Sequence, residues 1–209
     1  MDLNQLTKKL MNRVPKLEGV YKSYSVLVPI IKINDKNHLL FEVRSESLKT
    51  QPREICFPGG RIEPGENPLN CAIRETSEEL NLSTSGISVI GPLDFLVLPY
   101  NFLLYPFLGF LDCTNPENIS FNKDEVAEIF TVPLEFFMNH EPISHPIEIY
   151  TKTDEGFPYH MIQKGEDYNW KSGKYPVYFY TYGEHIIWGI TARIIKNLVD
   201  LLKVDDDFL

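Results

Sequence analysis

Apolar positions along the chain follow two periods. The runs "YSVLVPIIKI" (24–33) and "HLLFEVRS" (38–45) are apolar and β-branched, and "NDKN" separates them. Two such runs joined by a short polar turn predict a β-hairpin. "ISVIGPLDFLVLP" and "FLLYPFLGFLD" read as further strand segments, broken at Tyr100–Asn101, and "PIEIYTK" and "PVYFYTY" as aromatic strands. Helical spacing appears elsewhere. Leu3, Leu6, Leu10 and Met11 share one side of the N-terminal segment, which predicts an amphipathic helix over about residues 2–13. "PLEFFMNH" predicts a short helix with Pro133 in its first turn. Ile187, Ile190, Ile194, Leu198 and Leu201 predict a C-terminal helix over about 185–203, packed on a sheet through one face. Strands mixed with few helices point to an α/β sandwich with a mixed sheet. Nothing repeats internally, so a single domain over 1–209 is expected.

One more helical stretch carries chemistry. Residues 57–82 read "FPGGRIEPGENPLNCAIRETSEELNL". Asn67 followed by Pro68 is a helix start, an Asn cap with proline at the first helical position. Leu69, Ala72, Ile73, Thr76 and Leu80 then fall on one face, while Glu75, Glu78 and Glu79 converge on another. Asn81 stands where a helix ends in a left-handed residue. Carboxylates at this density repel unless a cation gathers them. The glycines of "PGG" let the backbone run close to whatever the acids hold. Carboxylates plus an accessible carbonyl form a hard oxygen site suited to Mg²⁺ or Mn²⁺, and Arg74 can pin one carboxylate by a two-pronged hydrogen bond. A solvated glutamate-rich face explains the acid density equally well; only the full pattern of residues separates the two.

Charge and cysteine content narrow the setting. A net charge of −9 argues against a nucleic-acid partner, whose phosphates need a basic footprint, but not against a small anion met through a metal. Cys56, Cys71 and Cys113 have no paired spacing and read as reduced core thiols. No apolar run approaches the ~18 residues that cross a bilayer. The N-terminus lacks a signal-peptide core, and the C-terminal "DDDFL" matches no address. A cytoplasmic protein without a membrane partner is expected. The oligomeric state is left open, a homodimer being one option. His140, His145, His160 and His185 show no metal spacing.

The acidic stretch resembles the Nudix box, G-x5-E-x7-R-E-U-x-E-E-x-G-U with U apolar. Gly60, Glu66, Arg74, Glu75, Glu78, Glu79 and Leu82 fall in register, Thr76 replaces the first apolar residue and Asn81 the last glycine. The resemblance implies a loop–helix–loop on an α/β/α sandwich that binds Mg²⁺ or Mn²⁺ and hydrolyses a diphosphate. It implies Glu75, Glu78 and Glu79 as metal-binding acids, the Gly60 carbonyl as an extra ligand, and Glu66 and Arg74 as residues that orient the helix. The acid that takes the proton from water stays open between these glutamates and Glu125 or Glu128 of "NKDEVAEIFTVPL".

Upstream, "LLFEVRSESLKTQPREICFPGG" is similar to the extra motif of Nudix coenzyme A diphosphatases, L-L-T-x-R-S-x3-R-x3-G-x3-F-P-G-G. Arg44, Ser45, Phe57, Gly59 and Gly60 match. Lys49 replaces the second arginine, Glu42 the threonine and Arg53 the glycine. "HIIWGITARII" resembles that subfamily's IWGLTA segment. The similarity implies a small-molecule diphosphate substrate, with Arg44, Ser45, Lys49, Phe57 and Gly59 contributing to its binding. Coenzyme A or an acyl derivative would yield 3′-phospho-AMP and phosphopantetheine. Alternatives are a Nudix hydrolase for ADP-ribose, dinucleotides or nucleoside triphosphates, and a non-catalytic binding module. Trp188 and Arg193 are read as core and cap, and the aromatics of "PVYFYTY" as sheet packing.

Overall fold

A computed structural model of the protein describes residues 2–14, 17–19, 21–99, 101–113 and 115–204. The strands are β1 (Lys22–Ile33), β2 (Lys36–Arg44), β3 (Ile55–Cys56), β4 (Gly59–Arg61), β5 (Ile87–Pro92), β6 (Leu96–Leu98), β7 (Phe102–Leu111), β8 (Val126–Pro133), β9 (Ile143–Ile149), β10 (Gly173–Tyr182) and β11 (His185–Trp188). The α-helices are α1 (Leu3–Leu10), α2 (Pro68–Glu79), α3 (Leu134–Asn139) and α4 (Gly189–Lys203).

The expected hairpin is β1–β2. Asn34 and Asp35 both take left-handed backbone, φ 48° and 62°, and Ile33 pairs with Lys36, so the turn is the tight primed kind that matches strand twist. Around this hairpin the larger sheet runs β3-β2-β1-β7-β5, with β4 on β1, β6 on β7 and β8 on β2. β1 and β7 run parallel over nine residue pairs and the other pairings are antiparallel, which makes the sheet mixed. A second, antiparallel sheet has the order β11-β10-β9.

Alternation along β1 and β2 feeds two cores. Leu27, Ile31 and Leu40 meet Ala72 and Leu80 of the α2 region on one face, while Val28, Leu39 and Phe41 meet Ile194, Ile195 and Leu198 of α4 on the other. The layers are α/β/α, as the sequence predicts.

Three elements differ from expectation. His185–Trp188 is a strand, paired antiparallel with Phe179–Tyr182, and the helix begins only at Gly189, φ 66°. Apolar spacing cannot separate a short strand from the first turn of the helix that follows it. Within α4 the buried residues are Thr191, Ala192, Ile194, Ile195, Leu198 and Val199, whereas Ile190 and Leu201 are exposed. α1, capped by the Asp2 side chain, buries no residue, so Leu3, Leu6, Leu10 and Met11 face solvent. Tyr100 and the "DDDFL" tail lie outside the described residues. No described helix is long and apolar enough to cross a membrane.

Candidate active site

The helix of the acidic stretch starts as its sequence dictates, with Asn67 Oδ1 accepting from Asn70 N at 2.8 Å and Pro68 in the first turn. It ends at Asn81, φ 48°. Thr76 is fully buried and donates its hydroxyl to the Ala72 carbonyl at 2.7 Å, which satisfies a polar group at a position the Nudix pattern fills with an apolar one.

Arg74 is the cation that gathers much of the acid. Its Nε and Nη2 donate to the two oxygens of Glu66 at 2.9 and 3.1 Å, and Nη1 lies 2.8 Å from Glu75 and 3.2 Å from Glu78. The two-pronged bond holds the Glu66 carboxyl down to about 2. Glu66 also accepts from Glu63 N at 3.0 Å, which ties the approach loop to the helix.

Two glycines hold the next layer. Gly59 N donates to Glu79 Oε2 at 2.8 Å. A Cβ at Gly59 would stand 2.3 Å from the Ser25 carbonyl oxygen, and one at Gly60 2.3 Å from the Glu75 carboxyl carbon, so backbone and carboxylate meet only because neither residue has a side chain. Glu79 is 6% exposed. Burial raises its carboxyl well above the usual range, and the charges of Glu75 and Glu125 add to this against the Gly59 bond. Glu75 is raised too, by burial first and against the pull of Arg74.

A cleft of about 800 Å³ opens over this layer. Its polar lining includes Glu75, Glu79, Glu125, Gly59, Gly60 and Arg44, and its apolar and aromatic lining includes Tyr24, Phe102, Ile147, Tyr175 and Trp188. Glu125 is brought in by its loop, pinned at both sides: Asn122 N donates to the Glu79 carbonyl and Ser45 N to the Glu125 carbonyl, each at 2.8 Å.

Of the residues singled out from sequence, Glu75, Glu79, Glu125, Arg44, Phe57, Gly59 and Gly60 line this cleft. Phe57 is nearly buried and stacks on Phe41, centroids 4.9 Å apart. Ser45 is buried and outside the cleft lining, where its backbone N bonds the Glu125 carbonyl and its hydroxyl pairs with that of Ser47 at 3.0 Å. Glu78 is more than half exposed, bonds to Arg74 and faces a separate shallow groove. Lys49 is exposed and outside the cleft lining. Two readings need correction. Trp188 is 46% exposed on the cleft wall rather than core, because it lies on β11 and not in the helix. Arg193, expected as a cap, instead has its guanidinium over the ring of the cleft-lining Tyr175, 4.6 Å from the centroid, and makes no capping hydrogen bond among the described residues.

The sequence marks Glu42 only as a departure from the upstream motif and Cys56 only as a core thiol, and it does not single out Arg61. Glu42 is 1% exposed, paired in register with Cys56, and its carboxyl is raised well above the usual range by burial and by the Glu79 charge. Arg61 sits exposed at the cleft rim, with no ion pair among the described residues. A charged residue inside the "LLFEV" strand was the available signal for Glu42.

The donor set fits a divalent metal. The cleft lining includes Glu75, Glu79, Glu125 and Gly60, and one oxygen of Glu42 is buried with no hydrogen-bond partner among the described residues. As they stand, no three His, Cys, Asp or Glu side chains among the described residues close on a single point. Like-charged acids held together in this way are a site short of positive charge.

Fold and site together define an acid-lined cleft on an α/β/α sandwich, and comparison with known proteins gives it a family. The model of the NUDIX domain matches residues 24–151, and the chain belongs to the Nudix family. It is 33% identical over 205 residues to a Nudix hydrolase, NudL, of Photorhabdus laumondii, an alignment that covers 97% of this chain and 96% of that one. It is 36% identical over 146 residues to the peroxisomal coenzyme A diphosphatase NUDT7 of Mus musculus, covering 69% of this chain and only 56% of the mouse protein. A MutT/nudix family protein from Enterococcus faecalis superposes with a TM-score of 0.52 over 97% of this chain and 70% of its own, at 15% identity, which speaks for the fold alone. The chain is thus a Nudix hydrolase.

Proposed function

We propose that this Nudix hydrolase cleaves the diphosphate of coenzyme A or an acyl derivative, giving 3′-phospho-AMP and the corresponding phosphopantetheine. The observation that carries the reading is the mixed lining of the cleft: carboxylates, two glycines and Arg44 together with a large apolar and aromatic surface. A diphosphate with a long, weakly polar arm matches both kinds of lining at once. The Arg44–Ser45 and "FPGG" matches to the coenzyme A motif and the similarity to the mouse diphosphatase support it.

Glu75, Glu79 and Glu125, with the Gly60 carbonyl, would hold Mg²⁺ or Mn²⁺. Bound there, a divalent ion offsets the diphosphate charge and lowers the pKa of an attacking water. Arg44, on the same wall as the acids, orients the anionic substrate. Gly59 N fixes one oxygen of Glu79 and leaves the other to face the cleft. Arg74 keeps Glu66 and Glu78 turned away and fixes the helix that presents Glu75 and Glu79. Glu125 lines the cleft beside Glu75 and Glu79, and the carboxylate that takes the water's proton is one of these three acids. The whole chain acts as one domain, since the cleft draws on both sheets and on α2 and α4.

Chromatography after incubation with coenzyme A, ADP-ribose, NADH and deoxynucleoside triphosphates in Mg²⁺ or Mn²⁺ tests this. Coenzyme A is consumed, 3′-phospho-AMP appears, and Glu79→Gln lowers the rate by at least ~10²-fold with unchanged circular dichroism. Intact coenzyme A beside a consumed ADP-ribose or triphosphate refutes the substrate assignment, and a Glu79→Gln protein as fast as the parent refutes the metal assignment.

A further inference from the structure

Glu42 is an acid where the strand has no evident use for one. It lies on β2 among core residues and is 1% exposed. Alternation puts it on the side of Leu40, which packs with Ala72 and Leu80, so its carboxylate rises toward the helix that carries Glu79. Its Oε1 is buried and has no hydrogen-bond partner among the described residues. The charges that bear on it are those of Glu79 and Glu125, both acids, and of Arg44. Arg44 is shared, because the same guanidinium also bears on Glu79 and Cys56. One arginine against three carboxyl groups leaves this corner short of positive charge, and a buried carboxylate without a partner is costly. A leucine or threonine would fill the strand position without that cost.

We propose that Glu42, which lies beneath the cleft lining opposite Cys56, is a further metal-holding acid that joins Glu75, Glu79 and Glu125 in drawing in a divalent cation. The proposal rests on the reading of those acids as metal-holding, and is independent of which diphosphate is cleaved. The resembling upstream motif has threonine at this place, so the extra acid is this chain's own departure and Glu42→Thr is a natural test variant. Glu42→Gln keeps the shape and removes only the charge.

The test is direct Mn²⁺ binding to the full chain, followed by the electron paramagnetic resonance signal of free Mn²⁺, for the parent, Glu42→Gln and Glu42→Thr. Melting in the presence of a chelator reports folding. Both variants bind Mn²⁺ at least about 10-fold more weakly. Without metal they melt at or above the parent, since one buried acid fewer repels its neighbours, and Mn²⁺ raises their melting temperature less than it raises the parent's. Either folded variant binding Mn²⁺ as tightly as the parent overturns the proposal. A parent that binds no Mn²⁺ overturns it together with the metal reading, whereas a parent that binds Mn²⁺ yet leaves coenzyme A intact overturns only the substrate.

Discussion

Arg53 and Asn81 occupy places that the matching motifs give to glycine, and both hold left-handed backbone, φ 64° and 48°. A side chain costs roughly 1–2 kcal/mol there, less for Asn, whose short amide tolerates the region. The Arg53 conformation is fixed by the loop, whose backbone N donates to the Arg44 carbonyl at 3.1 Å. Its side chain makes only an exposed pair with Glu46 at 3.6 Å, worth about 0–1 kcal/mol. Arg53→Gly should therefore raise stability in urea unfolding, by about 0.5–1 kcal/mol, while Arg53→Ala does not, since it keeps the strain and drops the pair. An alanine variant as stable as the glycine one would show that side-chain removal, not backbone relief, is responsible. Asn81→Gly should gain less. Asn81 was legible from sequence because capping is local. Glu42 was not: its meaning depends on Cys56 opposite and Glu79 above, neighbours that no spacing along the chain announces.

At the scale of the element, α2 depends on one ion pair made from its preceding loop. Glu66, held down to about 2 by Arg74 against an ordinary 4.5, binds fewer protons folded than unfolded over that interval. Its contribution to stability is complete above pH ~4.5 and is lost as pH falls toward ~2. Glu66→Gln should then melt below the parent at pH 6, and the gap should close as pH drops through this window. A gap that stays constant from pH 6 to pH 2 would mean that packing, not charge, sets it. The box residues that build this helix were readable because capping, the i to i+4 spacing and the Arg74 position are all properties of one continuous segment. The boundary between β11 and α4 was not, since "HIIW" becomes a strand only through its pairing with β10. That pairing turns Trp188 out onto the cleft wall.

Across the whole molecule, the cleft is the seam where the larger sheet with α2 meets the three-stranded sheet with α4. Glu75 and Glu79 come from the first unit, and Ile147, Tyr175, Val177 and Trp188 from the second. In β9 and β10, Ile147 pairs with Tyr175, and in β10 and β11, Phe179 pairs with Trp188 and stacks on it at 6.0 Å, so these side chains share one face. Ile147, Tyr175, Val177 and Trp188 from that face line the cleft, and Ile143, Ile147, Ile186 and Trp188 remain 45–61% exposed. On the proposed function, this apolar face is suited to the acyl chain of an acyl-coenzyme A leading away from the scissile bond. Covering part of an indole or an isoleucine there is worth roughly 1–2 kcal/mol at ~25 cal/mol per Å². Trp188→Ala and Ile147→Ala should accordingly lower kcat/KM for a long-chain acyl-coenzyme A by about 5- to 30-fold, mainly through KM. Free coenzyme A, which lacks the chain, should lose far less. Equal losses for both substrates would place the arm elsewhere and leave this face to sheet packing alone, because a general distortion of the seam cannot distinguish a substrate with a tail from one without.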